Sequence, residues 1–321
     1  MNGEDLTLDR PIALNPAVSF TSEKDPIRRI RKIKEFFIEA GLFLAAASSV
    51  FITVSILTIL AVESVPFFKH VSVWEFLTEK EWTPLFDNPK FGILPLICGT
   101  FLTTVIALIV AIPLGTIAAS FLSEYVKPSQ REIIKPLLEL LAGVPTVVYG
   151  YFALLFVTPL LQKILPGLGG FNVLSAGIVI GIMIIPYVSS LSEDAMRAVP
   201  NELREASYAM GTTRFQTCFR VIIPSAFSGL TSAYILGISR ALGETMVVAI
   251  AAGMQPNLTL NPMEPAATIT AFIVQVSMGD LPHGSVGYQS IYVAGLTLLV
   301  ITLTFNLIGF WLRKRFQEHY Q

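Results

Sequence analysis

The chain has 321 residues, a net charge of −1, 53% hydrophobic residues and only 14% charged ones. Its apolar residues are gathered into runs far longer than a soluble core requires, which excludes a soluble globular domain and leaves an all-α polytopic membrane protein. Alternating ten-residue segments are absent, so a transmembrane barrel is excluded too; the net charge identifies no partner, and no nucleic-acid interface is expected.

Residues 1–35 read as a polar, basic N-terminal tail whose first 27 residues show no helical periodicity. Six transmembrane helices follow, at about 36–62, 92–122, 134–161, 172–192, 222–252 and 286–312, together a six-helix membrane domain over 36–314, and residues 315–321 form a short C-terminal tail. The first apolar stretch is too long, and lacks a small-residue cleavage pattern, for a removed signal peptide. Basic residues take sides. Arg28, Arg29, Arg31, Lys32 and Lys34 precede the first span; Lys127, Arg131 and Lys135 lie between the second and third; Arg197, Arg204, Arg214 and Arg220 between the fourth and fifth; Arg313, Lys314 and Arg315 follow the sixth. Those segments, and so both termini, are expected to be cytoplasmic.

In the external connection of 63–91, Trp74 and Trp82 suit anchoring at the membrane interface, with docking of an external partner as the alternative. The external connection of 253–285 is expected to hold a partial helix near 265–278, and its Asp280 and His283 are too isolated for a metal site. No metal ligands are expected elsewhere, and Cys98 and Cys218 lie too far apart along the topology to pair. Pro113, Gly115, Gly143, Pro145, Gly177, Gly181 and Pro186 lie inside spans, where they fit either helices bent around a pathway or simple packing devices.

The connection over 198–221 reads as two short helices at the membrane surface. Asn201 is expected to cap a helix running to about Met210, Gly211 to take the left-handed position after it, and Thr213 with Gln216 to form a capping box opening the second. Pro224 fits the entry to the fifth span.

Arg240 is the residue least at home in its surroundings. It sits in Gly237-Ile-Ser-Arg-Ala-Leu-Gly-Glu244, deep in an apolar stretch, where an ionised arginine costs about 2.5–3.5 kcal/mol on insertion scales and normally faces the bundle interior or water. Glu244, four residues on, is expected on the same helical face together with Gly237 and Ala233. The pair reads either as a structural ion pair or as an anion contact, since a guanidinium offers two parallel donors to an oxyanion. Thr104, Thr146, Tyr149 and Ser239 are candidate pathway-lining hydroxyls, with helix packing as the alternative.

In Glu205-Ala-Ser-Tyr-Ala-Met-Gly211 and Val221-Ile-Ile-Pro224 the chain resembles the EAA loop of ABC-importer permeases, with Ser207, Val221 and Ile223 as mild departures from its pattern. Leu140-Leu-Ala-Gly-Val-Pro-Thr-Val-Val-Tyr-Gly150, Gly181-Ile-Met-Ile-Ile-Pro-Tyr187 and Arg240-Ala-Leu-Gly-Glu-Thr-Met246 extend the resemblance to permeases of phosphate-specific ABC transporters, of the PstC type. That resemblance implies a type I ABC-importer permease fold with a cytoplasmic coupling helix. Glu205, Ala206 and Gly211 then serve ATPase coupling, and Arg240 and Glu244 the substrate pathway. Implied partners are a homologous second permease, two ATP-binding subunits and an external phosphate-binding protein, all at a bacterial-type plasma membrane. The chain has no Gly-x-x-x-x-Gly-Lys-Ser/Thr element, so ATP and Mg would be bound by the partner subunits and this chain would carry no cofactor and no ATPase site of its own. A permease for another oxyanion (sulfate, molybdate or phosphonate) and a motor-free anion channel are the rival readings.

Overall fold

The structure, a computed structural model, describes residues 26–315 apart from 87, 280 and 283, and side chains other than those of 26–30 and 33. The tail readings for 1–25 and 316–321, the side chains of Arg28 and Arg29, and the reading of Asp280 and His283 lie outside the described residues.

The chain divides into two units, 1–58 and 59–321. The described part of the first is helical throughout and opens α1 (Pro26–His70), which starts about ten residues before the expected span. Its apolar side chains, Phe36, Phe43 and Phe51 among them, are exposed, as suits a helix whose neighbours are lipid or another chain.

In the second unit, residues 59–70 complete α1. Ser72 then caps the short α2 (Val73–Thr78), accepting the Trp74 N–H. Trp82 departs from its expected interface role. It is 1% exposed and meets Phe76, Phe91 and Phe272 edge-on, while Trp74 is 76% exposed. An antiparallel bridge to Phe91 draws Trp82 inward, so only Trp74 has the exposure that interface anchoring needs.

The central pair is α3 (Leu94–Glu124) and α6 (Val173–Arg197), each one uninterrupted helix despite Pro113 and Pro186. Their closeness depends on glycine. A Cβ on Gly177 would lie 2.7 Å from Ile106 and one on Gly181 2.7 Å from the Ala107 carbonyl, so this i,i+4 pair lets the backbones meet. These glycines are packing devices. Thr103 and Thr104, buried on α3, return their hydroxyl hydrogens to the carbonyls four residues back, as does Thr100, whose oxygen also accepts the Ile269 N–H.

The expected third span is bent by 81° between α4 (Pro128–Ala142) and α5 (Thr146–Gln162), because Gly143 ends one helix and Pro145 forbids its continuation. The Tyr149 hydroxyl closes this elbow on the Leu141 carbonyl at 2.7 Å. After α7 (Asn201–Ala209), the fifth span is likewise interrupted: α8 (Arg214–Ser225) and α9 (Phe227–Leu242) meet at 76°, and a second break at 243–245 precedes α10 (Met246–Ala251). The expected external helix appears as α11 (Ile269–Ser277), and α12 (Val286–Arg315) completes the all-α fold. Among the described residues four helices are long and apolar enough to cross a membrane, and up to six spans result when each bent pair is one span.

Candidate functional site

Gly243 ends α9 three residues after Arg240, and this small fact rearranges the expected site. Because the helix stops, Arg240 and Glu244 do not share a helical face, and no ion pair joins them. Glu244, 7% exposed, instead accepts the Val247 N–H through Oε1 at 3.2 Å, satisfying a free donor at the start of α10, while its carbonyl accepts the Thr270 hydroxyl at 2.6 Å. Its Oε2 has no hydrogen bond among the described residues. Within α9, Gly237 packs towards Val188 and Ile184 of α6.

Arg240 lies in the last turn of α9, where the negative end of the helix dipole favours a cation. Its guanidinium carbon sits 4.2 Å above the centre of the Tyr187 ring, and its buried Nε has no partner. Among the described residues Arg240 makes no hydrogen bond and no ion pair. This half-buried cation therefore has a ring on one side and donors left unused, and a guanidinium in that state is able to take charge-assisted hydrogen bonds. Tyr187 escaped the sequence reading as a partner; its signal was the Pro186-Tyr187 step at the end of a glycine-bearing apolar run, but nothing local placed it beneath Arg240.

The other candidates scatter. Thr104 is buried in the α3 interior, Tyr149 is committed to the α4–α5 elbow, and Thr146 is half-buried in the first turn of α5. Ser239, next to Arg240, donates to Oδ1 of Asn306 on α12 at 2.9 Å.

At the other end of the unit, the expected pair of short helices is present with one correction. Pro200 holds the cap position with ψ 142° and Asn201 is already helical, because proline's fixed φ is compatible with a helix entry and lacks only an N–H the entry does not use. Gly211 takes φ +78° and the Thr213–Gln216 capping box is complete. Glu205, Ala206 and Gly211 all lie exposed, together with Met210 at 84% exposure. Ser207 is a substantive departure from the EAA pattern. Its Oγ lies 2.7 Å from Thr212 Oγ1 and 2.9 Å from Thr217 Oγ1, and this hydroxyl cluster ties α7 to α8.

Arg204 anchors the loop to the helices behind it. It donates to the carbonyls of Val199 at 2.6 Å and Met196 at 2.8 Å, and through Nη2 to Glu124 at the end of α3 at 3.2 Å. Beside it, the fully buried Glu193 of α6 receives Arg131 Nε at 2.6 Å and Lys135 Nζ at 2.8 Å, both from α4. Lys135 also reaches Asp194 at 2.5 Å, and Ser190 donates to Glu139 at 2.8 Å, further links between α4 and α6.

The family described as "Binding-protein-dependent transport system inner membrane component" matches residues 111–320. A phosphate transport system permease protein PstC of Mesorhizobium japonicum is 34% identical over 265 residues, 75% of this chain and 79% of the relative. The chain belongs to the PstC-type permeases of binding-protein-dependent transport systems. A probable phosphate transport system permease PstC of Methanocaldococcus jannaschii is 32% identical over 90% of this chain and 96% of its own, and a probable ABC transporter permease of Bacillus subtilis, YqgH, is 38% identical over 76% and 79%. A bacterial ABC transporter involved in import of the acidic polysaccharide alginate matches with TM-score 0.63 at 15% identity, covering 91% of this chain and all of that one; at such identity the likeness concerns the ABC-importer fold alone.

Proposed function

We propose that this PstC-type permease is one half of the membrane pathway of an ATP-driven importer of inorganic phosphate, with Arg240 as the anion contact. The observation that supports it most is an arginine in a membrane-crossing segment, seated on Tyr187 with no acidic partner and an unpartnered buried Nε. A structural ion pair would have its carboxylate in place. Glu244 serves the site indirectly by holding the turn after α9, and its Oε2 remains an acceptor for a phosphate hydroxyl, which sulfate lacks at neutral pH.

In this reading a homologous permease supplies the other half of the path, and an external phosphate-binding protein delivers the anion. Two partner subunits bind ATP and Mg, and this chain holds no cofactor and performs no hydrolysis. The exposed Glu205, Ala206 and Gly211 surface on and after α7 receives the motor, and both termini lie on the cytoplasmic side of a bacterial-type plasma membrane. Arg204 passes the motor's displacement to α3 and α6 through Glu124 and the Met196 and Val199 carbonyls.

The test is ATP-dependent uptake of labelled phosphate by the reconstituted four-component transporter with excess unlabelled sulfate present. Sulfate-resistant uptake is expected. An assembled, ATP-hydrolysing complex that takes up another oxyanion and no phosphate overturns the cargo, and uptake that persists without ATP overturns the motor.

A further inference from the structure

Asn306 is a polar residue where the membrane tolerates few. It lies seven residues before Arg313 on α12, about 10 Å along the axis at 1.5 Å per residue, while Arg313, Lys314 and Arg315 mark the water boundary. A hydrocarbon slab about 30 Å thick therefore includes it. Its side chain is exposed on the surface of this chain, and an uncompensated carboxamide turned towards lipid is strongly unfavourable, so this face is covered by protein or water in the assembled transporter.

The face is shaped as well as polar. Ser232, Ile235, Leu236 and Ser239 recur at i, i+3, i+4 and i+7 on α9, and Asn306, Gly309, Phe310 and Arg313 recur in the same way on α12. Between them lies a cavity of about 270 Å³ with Ser232, Asn306 and Arg313 as its polar lining and no carboxylate in its wall. Gly309 lets the helices meet behind it: a Cβ there would lie 2.2 Å from Ile235. Ser232 precedes Arg240 by eight residues, about 12 Å along α9, so the cavity extends from the level of the Ser239–Asn306 bond towards the basic end of α12.

The Ser239 hydroxyl occupies Asn306 Oδ1 and thereby turns the carboxamide so that its two N–H donors have no hydrogen bond among the described residues. Free donors at one end, a guanidinium at the other and no acidic group between them form a lining for an oxyanion. We propose that this cavity is the inward exit site of the pathway, where a phosphate leaving Arg240 is held by the Asn306 amide and the Arg313 guanidinium before release. Ser232 donates its hydrogen to the Ser228 carbonyl at 3.0 Å, so its oxygen is left to accept the proton of a phosphate hydroxyl. The site rests on the phosphate-importer reading. A phospholipid headgroup offers the same phosphate chemistry, and the experiment separates the two sources.

The complete transporter in nanodiscs, prepared with zwitterionic lipid alone or with added anionic lipid, serves for both arms. Asn306→Leu keeps the side-chain size and removes both donors; Asn306→Gln keeps the amide. For the nucleotide-free complex without binding protein, we expect Asn306→Leu and Arg313→Gln each to weaken binding of labelled orthophosphate at least tenfold in either lipid, with uptake falling in parallel and ATP hydrolysis retained. Asn306→Gln restores binding in part, which a merely structural role for the residue would not produce. Wild-type phosphate binding and uptake by both donor-lacking variants overturns the exit site, as does a loss that appears only with anionic lipid, which assigns the cavity to a headgroup. If the parent complex transports another oxyanion and not phosphate, the cargo reading has failed; if Arg240→Ala abolishes phosphate uptake while Asn306→Leu leaves it intact, the exit site alone has failed.

Discussion

Two arginines on neighbouring stretches of the chain, Arg204 and Arg240, are treated in opposite ways. Arg204 spends its donors on Glu124 and on the Met196 and Val199 carbonyls, and beside it Glu193 is neutralised by Arg131 and Lys135. The buried carboxylates at that end, Glu193 and Glu124, have their counter-charges inside the chain. Arg240 has only the face of Tyr187. A saturated arginine holds structure together; an unsaturated one, half-buried in a membrane segment, has donors to spare, as the proposed anion contact needs.

The sharpest way to break this contrast is Arg240→Ala. Two charge-assisted hydrogen bonds of about 1.5–3 kcal/mol each correspond to roughly a 100-fold loss or more, so phosphate uptake is expected to vanish while the complex still co-purifies and its melting temperature is unchanged. Retained uptake ends the anion-contact role; loss of assembly moves Arg240 into the structural class. Glu193→Ala should do the reverse, leaving Arg131 and Lys135 only the more exposed Asp194 and lowering stability by about 3 kcal/mol, read by thermal unfolding in detergent, with uptake falling only as folded protein is lost.

Arg204→Ala is expected to uncouple the transporter. Uptake should fall about tenfold, within the range of ordinary coupling energies, while ATP hydrolysis by the assembled complex continues. Equal loss of both activities would reduce Arg204 to a folding residue. The smallest effect is expected at Tyr187. Tyr187→Phe keeps the ring and should leave uptake within about twofold, whereas Tyr187→Leu removes a cation–π contact of about 0.5–2 kcal/mol and should raise the KM for phosphate. Identical behaviour of the two variants would show that the ring does not hold the guanidinium.

Much of this molecule is legible in one dimension because the responsible interactions are short-ranged. Uninterrupted apolar runs specify membrane helices, and the Gly211 φ and the Thr213–Gln216 box follow from residues within three positions of one another. The same locality explains the errors. The bend between Gly143 and Pro145 was among the possible ones, but the two breaks within 222–252, at 226 and at 243–245, are masked by continuous hydropathy, although Gly243 announces the second. Asn201 was preferred as a cap on propensity, but Pro200 already held that position.

What the sequence determined by itself is therefore the class of protein, the membrane helices, the two short helices on either side of Gly211 and the arginine that has no business in lipid, each of which depends on residue type and near-neighbour spacing. The tertiary structure decided who meets Arg240. The break at Gly243 sends Glu244 to the start of α10, the glycine-mediated packing of α3 and α6 sets the frame, and α6 places Tyr187 beneath the guanidinium from 53 residues away in the chain. An i,i+4 relation holds only while the helix continues, and a contact between helices is fixed by how their surfaces fit, which no local pattern records.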